Sequence, residues 1–488
     1  MDSVAKHIFL VTDPTQLEAT VRTAFEIART GRPGPVVIDV PKDVQNWVGT
    51  FRGEGVLPIP GYRKRLFSAT HAAIEDDEAA EFFAMLAASK RPLIYAGGGV
   101  INAGAAAALT EFAKTFGVPV VTTLMGIGAF DTTDLLSMRM LGMHGAAFAN
   151  YAVDDCDMLI ALGSRFDDRV AGVPAKFAPN ARRIAHIDID RAEINKVKSV
   201  DWSHVGQLPD ALETLTGYGR RIGFRQDYSA WHAELAALRE THAMNYDRQS
   251  ELIQPYYVIE EINRLTRGEA IIATGVGQHQ MWAAQYFDFR HPRLWLTSGS
   301  MGTMGFGLPA AIGAQFARPG ALVIDIDGDA SVRMNIGELE TVTTYDLPVK
   351  VVVLNNFGDG MVKQWQKLFF KGRLSASDKS LHKKDFVKEL ASAKRKKSDL
   401  HDLENMRNLI RHDLAGAKMM QAWNMPESLS LPVCWHHVED RSLRAEVVSP
   451  DHHLLIDIVY FSNFIVHKLG IGFSGHGITK NPSDKFLR

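Results

Sequence analysis

Short runs of β-branched and aliphatic residues alternate with helical segments through most of this chain, and this alternation limits the fold more than any other feature. The pattern covers residues 77–215 and begins again near residue 255. Strands that alternate with helices form parallel sheets covered by helices, because a parallel connection needs a long crossover. We therefore predict an α/β protein with two parallel-sheet domains.

The predicted elements divide the chain into four regions. A helix over 15–28 and a strand over 36–40 are too little to bury a core alone, so the first region is predicted to be a remnant of a third domain. The predicted later strands are 93–95, 118–121, 158–162, 183–188, 270–273, 322–326 and 349–354, and the helices are 78–88, 105–116, 281–286, 308–317 and 336–345. The predicted domains are residues 1–60, 61–220, 250–388 and an all-α tail over 398–488.

Composition narrows the class of protein. A formal net charge of −2 argues against the positive electrostatic potential that nucleic-acid-binding proteins carry. Cys156 and Cys434 are the only cysteines, which excludes a disulfide framework and favours a reducing cytoplasm. No apolar run reaches the roughly 18–20 residues of a membrane span, so no membrane association is expected.

Polar residues follow two strands of the second predicted sheet. Gly328-Asp329-Ala330-Ser331 follows the strand ending at residue 326, and Asn355-Asn356 follows the strand ending at residue 354. The helix between them makes a βαβ unit, so both sets emerge at the carboxyl edge of one sheet. Carboxylate and amide oxygens suit Mg²⁺, which often bridges to phosphates. The alternative is an Asp helix cap and an Asn turn, which are common separately.

These motifs resemble those of the thiamin-diphosphate enzymes. Residues 275–282 (GVGQHQMW), 302–309 (GTMGFGLP) and 360–366 (GMVKQWQ) look like the catalytic subunit of acetolactate synthase, over about residues 1–388. The resemblance implies that 1–60 is the end of a pyrimidine-binding domain and 61–220 a central domain that resembles FAD-binding domains. It also implies that 250–388 binds the diphosphate and magnesium.

The resemblance assigns roles to individual residues. Mg²⁺ would be held by Asp329, Asn356 and the carbonyl of Gly358. Met304 would bend the cofactor, Trp365 would shape the pocket for a second 2-oxo acid, and Arg169 would pair with a substrate carboxylate. Lys42 lies in the matching string PKDV. The implied thiamin diphosphate contacts are Val276, Gly277, Gln278, His279, Gly302, Met304, Asp329, Ala330, Ser331, Asn356, Gly358, Met361 and Val362. For Met304 and Trp365 the alternative is plain core packing.

A flavin site is implied by the same resemblance. Gly97-Gly98-Gly99 does not fit G-x-G-x-x-G, so it is weak evidence for a dinucleotide. The implied FAD contacts are Arg32, Thr123, Leu124, Met143, His144, Gly145, Gly163, Arg165, Asp167, Val170 and Asp188. Asp188 could accept a hydrogen bond from a hydroxyl of the adenosine part. The alternative for residues 165–169 is a surface loop of salt bridges.

The chain departs from the family in three ways. No glutamate in residues 1–60 matches the one that activates the cofactor, so the chain alone is expected to be incompetent. Arg333 and Asp359 stand near the metal, where the family usually has apolar residues, and Gly337 replaces a larger residue. Residues 398–488 resemble part of an HDOD domain instead. In that tail, His412, Asp413, His436, His437, His452 and His453 are candidates for metal ligands or for helix packing.

The family resemblance implies pyruvate and 2-oxobutanoate as substrates, a homo-oligomer, and room for a regulatory subunit. Two alternatives remain open at this point. One is another thiamin-diphosphate decarboxylase or oxidase. The other is a non-catalytic cofactor-binding or signalling fusion with the HDOD-like module.

Overall fold

The computed structural model describes residues 4–51, 64, 73–379 and short stretches between 413 and 460. The chain divides into two compact units, Met1–Asp378 and Lys379–Arg488. The strands are β1 His7–Leu10, β2 Val36–Asp39, β3 Pro92–Ala96, β4 Val120–Thr122, β5 Ser137–Met140, β6 Met158–Leu162, β7 Arg183–Asp188, β8 Trp202–Val205, β9 Ile271–Thr274, β10 Trp295–Thr297, β11 Val323–Gly328 and β12 Lys350–Leu354.

The helices lie mainly between these strands. They are α1 Leu17–Arg29, α2 Lys42–Gln45, α3 Asp76–Ala88, α4 Gly98–Asn102, α5 Ala106–Phe116, α6 Ala147–Asp155, α7 Asp168–Ala171, α8 Leu208–Arg221, α9 Ser229–Thr241, α10 Pro255–Thr266, α11 Gln278–Tyr286, α12 Gly307–Ala317, α13 Asp329–Val332, α14 Leu339–Thr344, α15 Gly360–Phe369 and α16 Glu427–Trp435. Short 3₁₀ turns cover Pro14–Gln16, Leu124–Gly126, Pro174–Lys176, Arg191–Glu193 and Ile336–Glu338.

The first large sheet is six-stranded and parallel, with the order β5-β4-β3-β6-β7-β8. Strands β3 and β6 are buried along their whole length, as expected when helices cover both faces. Strand order reverses between β3 and β6. Parallel sheets bind ligands at such a reversal, outside the carboxyl ends of the strands.

The second large sheet is four-stranded and parallel, with the order β10-β9-β11-β12. Strands β9 and β11 are fully buried, whereas β12 lies at the edge with Val351 and Val353 exposed. The carboxyl ends of β9, β11 and β12 therefore face the same side, and three sequence motifs follow them. This edge carries the candidate metal site.

The N-terminal segment contains a strand that the sequence analysis missed. Strand β1 pairs in parallel with β2, and α1 packs against both. The amino group of Lys6, just before β1, donates to the carbonyl oxygens of Ile27 and Arg32 at 2.6 and 3.0 Å. These bonds attach β1 to the C-terminal end of α1.

The predicted α/β class with two parallel-sheet domains is confirmed, because both large sheets in the described residues are parallel and covered by helices. Strands β5, β8 and β10 were missed because each is three or four residues long and includes polar side chains. The predicted helix over 336–345 begins as a 3₁₀ turn, Ile336–Glu338, before α14. The domain boundaries remain predictions.

Most of the predicted tail, including His412 and His436, lies outside the described residues. Helix α16 lies within this tail. Among the described residues, no helix is long and apolar enough to cross a membrane.

The aromatic core of the six-stranded domain sets a stability prediction. Phe82 is fully buried and makes edge-to-face contacts with Phe112 and Trp202. Replacing it with Ala should lower the free energy of unfolding by ~3–5 kcal/mol, measured as an earlier urea midpoint. Phe25, which is 66% exposed on α1, is the control, and Phe25→Ala should leave the midpoint nearly unchanged. Equal effects of the two variants would contradict this account.

Candidate active site

Two strand ends in register bring the predicted metal ligands together. Gly328, the last residue of β11, pairs with Leu354, the last residue of β12. Asp329 and Asn356 follow directly, and the backbone N–H of Asn356 approaches Asp329 Oδ1 at 3.4 Å. Asp329 is buried. The predicted adjacency of these two residues is therefore present in the structure.

Two glutamine side chains orient the side chain of Asn356 through a chain of amide hydrogen bonds. Its Nδ2 donates to Gln278 Oε1 at 3.1 Å, and Gln278 Nε2 donates to Gln364 Oε1 at 3.0 Å. With its nitrogen committed to Gln278, Asn356 keeps its side-chain oxygen for another partner. A Cβ atom on Gly360 would lie 2.2 Å from Gln278 Oε1, so only glycine leaves room for this arrangement.

The loop after β12 is fixed to a later segment. Gly358 forms an isolated antiparallel bridge with Asp378, and the N–H of Asp359 donates to the carbonyl of Ser377 at 2.9 Å. Gln366 on α15 holds the same segment through the backbone of Ser375. These contacts fix the position of Gly358, which follows Asn356 by two residues.

The donor set fits a hard divalent cation. Asp329 offers a carboxylate, Asn356 an amide oxygen and Gly358 a backbone carbonyl, and such oxygen ligands suit Mg²⁺. Within the part of the chain that the structure describes, no group of three or more His, Cys, Asp or Glu side chains forms a metal cluster. The carboxylate of Asp329 also has a positively charged neighbour, because the guanidinium Nη2 of Arg333 lies 3.3 Å from Asp329 Oδ2.

Beneath the strand ends lies a buried group of acids that the sequence analysis missed. Asp325 and Asp327 lie on the same face of β11 and are fully buried. Asp327 Oδ1 accepts from the N–H of Gly328 at 2.8 Å and lies 3.1 Å from His279 Nε2. Burial, with a contribution from Asp327, raises the pKa of Asp325 to about 8. The signal was available, because two aspartates alternate within the otherwise apolar strand VIDIDG.

Ser331 connects the metal site to the loop that carries Gly302 and Met304. Its Oγ accepts from the N–H of Gly305 at 2.9 Å. Asn335 Nδ2 donates to the carbonyl of Gly305 at 2.7 Å. Gly302 has φ of +64°, a conformation that favours glycine, and Met304 is half-buried.

A cavity of about 1180 Å³ begins at the strand reversal of the six-stranded sheet and extends to the second sheet. Its apolar wall includes Met125, Ile127 and Trp295. The predicted site residues that line it are Arg32, Thr123, Leu124, Met143, His144, Gly163, Arg165, Asp167, Arg169, Val170, Asp188, Val276, Gly302 and Met361.

The other predicted residues lie outside the cavity lining. They are Lys42, Gly145, Gly277, Gln278, His279, Met304, Asp329, Ala330, Ser331, Asn356, Gly358, Val362 and Trp365. Lys42 is exposed at the start of α2. Trp365 is 39% exposed on α15, with its ring 4.5 Å from that of Phe369.

The triple glycine after β3 has a packing role. A Cβ atom on Gly97 would lie 2.2 Å from the carbonyl oxygen of Gly163, and one on Gly99 would lie 2.6 Å from Gly163 Cα. The ends of β3 and β6 can approach this closely only because these residues are glycines. The close approach accounts for these two glycines without a phosphate ligand.

One end of the cavity is acidic. Burial raises the pKa of Asp188 to about 6, and its Oδ1 accepts from the N–H of Asp190 at 2.9 Å. Arg32 pairs with Asp190 at 3.0 Å and with the buried Glu193 at 2.5 Å. These contacts attach the N-terminal segment to the six-stranded domain.

The loop after β6 also carries an ion pair. Arg165 Nη2 lies 2.6 Å from Asp167 Oδ2 and 3.1 Å from Ser300 Oγ of the second domain. The side chain of Arg169 is 68% exposed at the cavity, and its nearest acidic partner is Asp168 at 3.8 Å. Arg165 is thus engaged in salt bridging, whereas Arg169 is only loosely paired.

Two family models match the chain. The thiamine pyrophosphate enzyme central domain matches residues 79–215, and the C-terminal TPP-binding domain matches residues 275–419. The second match continues past residue 388, where the predicted domain ends. Together these matches define the chain as a thiamine pyrophosphate enzyme.

Curated relatives narrow the class. Acetolactate synthase 1, chloroplastic, of Nicotiana tabacum is 46% identical over 371 residues, which cover 76% of this chain and 55% of the relative. Acetolactate synthase, chloroplastic, of Arabidopsis thaliana is 44% identical over 371 residues, with 76% and 54% covered. Acetolactate synthase 2, chloroplastic, of Zea mays is 47% identical over 373 residues, with 76% and 57% covered. Over the matched residues the chain is a thiamine pyrophosphate enzyme of the acetolactate synthase type, and it spans about half the length of these relatives.

The amide arrangement predicts a difference between two variants of Gln364. Gln364→Glu keeps an acceptor for Gln278 Nε2, whereas Gln364→Met removes it. Thiamin diphosphate should stabilise the chain half-maximally at a given Mg²⁺ concentration, and we expect Gln364→Met to raise that concentration roughly three- to tenfold. This is the effect expected from losing the free energy of one hydrogen bond. Gln364→Glu should have the smaller effect. Equal shifts in the two variants would show that the arrangement does not orient Asn356.

The buried Asp325 predicts a pH dependence of stability. Its folded pKa of about 8 lies well above that of an aspartate in the unfolded chain, so folding favours the protonated form. The stability from this group is complete below the unfolded pKa and is lost as pH rises towards 8. Asp325→Asn should therefore stabilise the chain by at least ~1 kcal/mol more at pH 8 than at pH 5, measured by urea unfolding. The exposed Asp346→Asn is the control, and a gain independent of pH would contradict this prediction.

Proposed function

We propose that this chain binds thiamin diphosphate through Mg²⁺ at the ends of β11 and β12 as part of an acetolactate synthase-type carboligase, and that these 488 residues alone are incompetent for the reaction. The observation that supports the proposal most is the 3.4 Å approach of Asn356 N to Asp329 Oδ1. It lies within the stretch that matches a TPP-binding domain. The proposed substrates are pyruvate and a second 2-oxo acid, either pyruvate or 2-oxobutanoate.

Thiamin diphosphate, when bound, supplies the electron sink that decarboxylation of a 2-oxo acid needs. The residues of this chain bind and orient. Asp329, Asn356 and the carbonyl of Gly358 would hold Mg²⁺ against the diphosphate, and the diphosphate itself would lie near Gln278 and His279. A protein around such a cofactor contributes most to the reaction rate by holding the reactants in position.

Substrate recognition is proposed for side chains at the cavity and on α15. Arg169 is exposed at the cavity and only loosely paired, so its guanidinium can bind a substrate carboxylate. Met304 and the carbonyl of Gly302 are proposed to hold the bent cofactor, and Trp365 to shape the pocket for the second oxo acid. Lys42 remains a candidate catalytic residue by its motif alone.

FAD is proposed to bind in the crevice of the six-stranded sheet. All of the implied FAD contacts except Gly145 line the cavity. Asp188 lies there at the end of β7, where its carboxylate can accept a bond from a hydroxyl of the adenosine part. The flavin role is proposed to be structural.

Self-association is also part of the proposal. Exposed apolar side chains on β12 and α15 support a surface that another chain covers, and they are Val351, Val353, Val362, Trp365, Leu368 and Phe369. A regulatory subunit and a cytoplasmic location are proposed from the family resemblance and from cysteine usage, although the curated relatives named above are chloroplastic.

Cofactor binding predicts a thermal shift. Thiamin diphosphate with Mg²⁺ at about 100 times the Kd should stabilise the chain by ~2.7 kcal/mol, because a ligand that binds only the folded state shifts unfolding. Asp329→Asn should abolish this rise in Tm. The control, Glu340→Gln, removes an exposed charge of the same domain and should keep it. An unchanged Tm for the wild type would contradict the proposed function.

These 488 residues alone are expected to give no measurable turnover. Among the residues that the structure describes, the acids lining the cavity are Asp167, Asp188 and Glu193, all in the six-stranded domain. Of the described residues that line the cavity, none at the Val276 and Gly302 end carries a carboxylate that could activate the cofactor. We therefore expect no acetolactate from pyruvate, Mg²⁺, thiamin diphosphate and FAD while the thermal shift persists. Acetolactate at a rate comparable to that of an intact relative would contradict this.

A further inference from the structure

We propose that Arg333 is an internal counter-ion of Asp329 that competes with the divalent cation and so sets the Mg²⁺ concentration that the site requires. The inference rests on the proposed function in one respect, namely that the metal binds Asp329. It concerns a residue that neither the cofactor nor the substrate is proposed to contact.

The geometry places the guanidinium on the candidate ligand. Arg333 follows the single-turn helix α13, four residues after Asp329, and its Nη2 lies 3.3 Å from Asp329 Oδ2. The other oxygen, Oδ1, faces the N–H of Asn356 at 3.4 Å. One oxygen of the carboxylate is therefore directed to the end of β12, and the other to Arg333.

The two partners differ in their exposure to water. The side chain of Asp329 is 7% exposed, whereas that of Arg333 is 59% exposed. A buried carboxylate is costly unless a positive charge or hydrogen-bond donors compensate for lost hydration. Arg333 supplies that charge from the solvent side, and it can move away without disturbing the core. The arrangement stabilises the carboxylate before the metal arrives.

Binding of Mg²⁺ must then replace this ion pair. The cation needs the same carboxylate and repels the guanidinium, so the observed metal affinity is reduced by the free energy of the pair. Half-exposed ion pairs contribute little, which limits the effect to roughly two- to fivefold in affinity. This is large enough to measure and small enough to leave the site functional.

The test is a titration with Mn²⁺, whose free ion is counted by electron paramagnetic resonance, in the presence of thiamin diphosphate. Arg333→Leu should bind Mn²⁺ roughly two- to fivefold more tightly than the wild type. Arg333→Lys keeps the positive charge and should stay within about twofold of the wild type. Because Arg333 is largely exposed, these variants are expected to fold.

The chain offers a matched control far from the site. Arg22 and Glu18 form another i,i+4 pair at 2.5 Å, with side chains 52% and 35% exposed. Arg22→Leu removes an arginine of the same kind and should leave the Mn²⁺ affinity unchanged. A shift as large as that of Arg333→Leu would mean that net charge alone, rather than the pair with Asp329, controls the affinity, and would overturn the inference.

The remaining outcomes separate this inference from the proposed function. Equal affinity in the wild type and Arg333→Leu, with clear Mn²⁺ binding in both, overturns the inference and leaves the metal site intact. Weaker binding by Arg333→Leu also overturns it, and would indicate that the guanidinium helps to hold the diphosphate. No Mn²⁺ binding by any variant overturns the metal site itself and the inference with it.

Discussion

The parallel pairing of β11 with β12 is the interaction on which the site depends. Because Gly328 and Leu354 are opposite each other, the residues that follow them emerge side by side. A shift of one residue in this register would turn the side chains of one strand to the other face and separate Asp329 from Asn356. The chemistry of the site is therefore a consequence of backbone hydrogen bonding between two strands.

Support for these strand ends comes from polar groups that are themselves buried. Asp327 accepts a hydrogen bond from the N–H of Gly328, and Ser331 accepts one from the N–H of Gly305 in the loop that carries Gly302. A Cβ atom on Gly275 would lie 2.1 Å from both Asp327 Oδ1 and Ser331 Oγ, so the backbone after β9 must approach without a side chain. The glycines and acids of this region thus form one structural unit around the carboxyl ends of three strands.

Sequence reasoning found the site where local pattern and topology agree. The strand before Asp329 and the strand before Asn356 were identifiable from their β-branched residues, and the handedness of βαβ units then placed both at one edge. It could not find Gln364, because its contact with Gln278 joins residues 86 positions apart and depends on how α15 packs. Strand β5 was invisible for a similar reason, since Ser137–Met140 becomes a strand only by pairing with β4. The alternating aspartates of VIDIDG indicate buried acids, but the size of the pKa shift of Asp325 depends on how deeply it is buried, which only the structure gives.

The central claim is that the ends of β11 and β12 bind a divalent cation together with a diphosphate. The most direct measurement is a crystal structure of the chain with Mn²⁺ and thiamin diphosphate, using anomalous scattering to locate the metal. The account predicts one peak within bonding distance of the carboxylate of Asp329, the side-chain oxygen of Asn356 and the carbonyl of Gly358. An anomalous peak elsewhere, with cofactor bound and these three oxygens unligated, would contradict it.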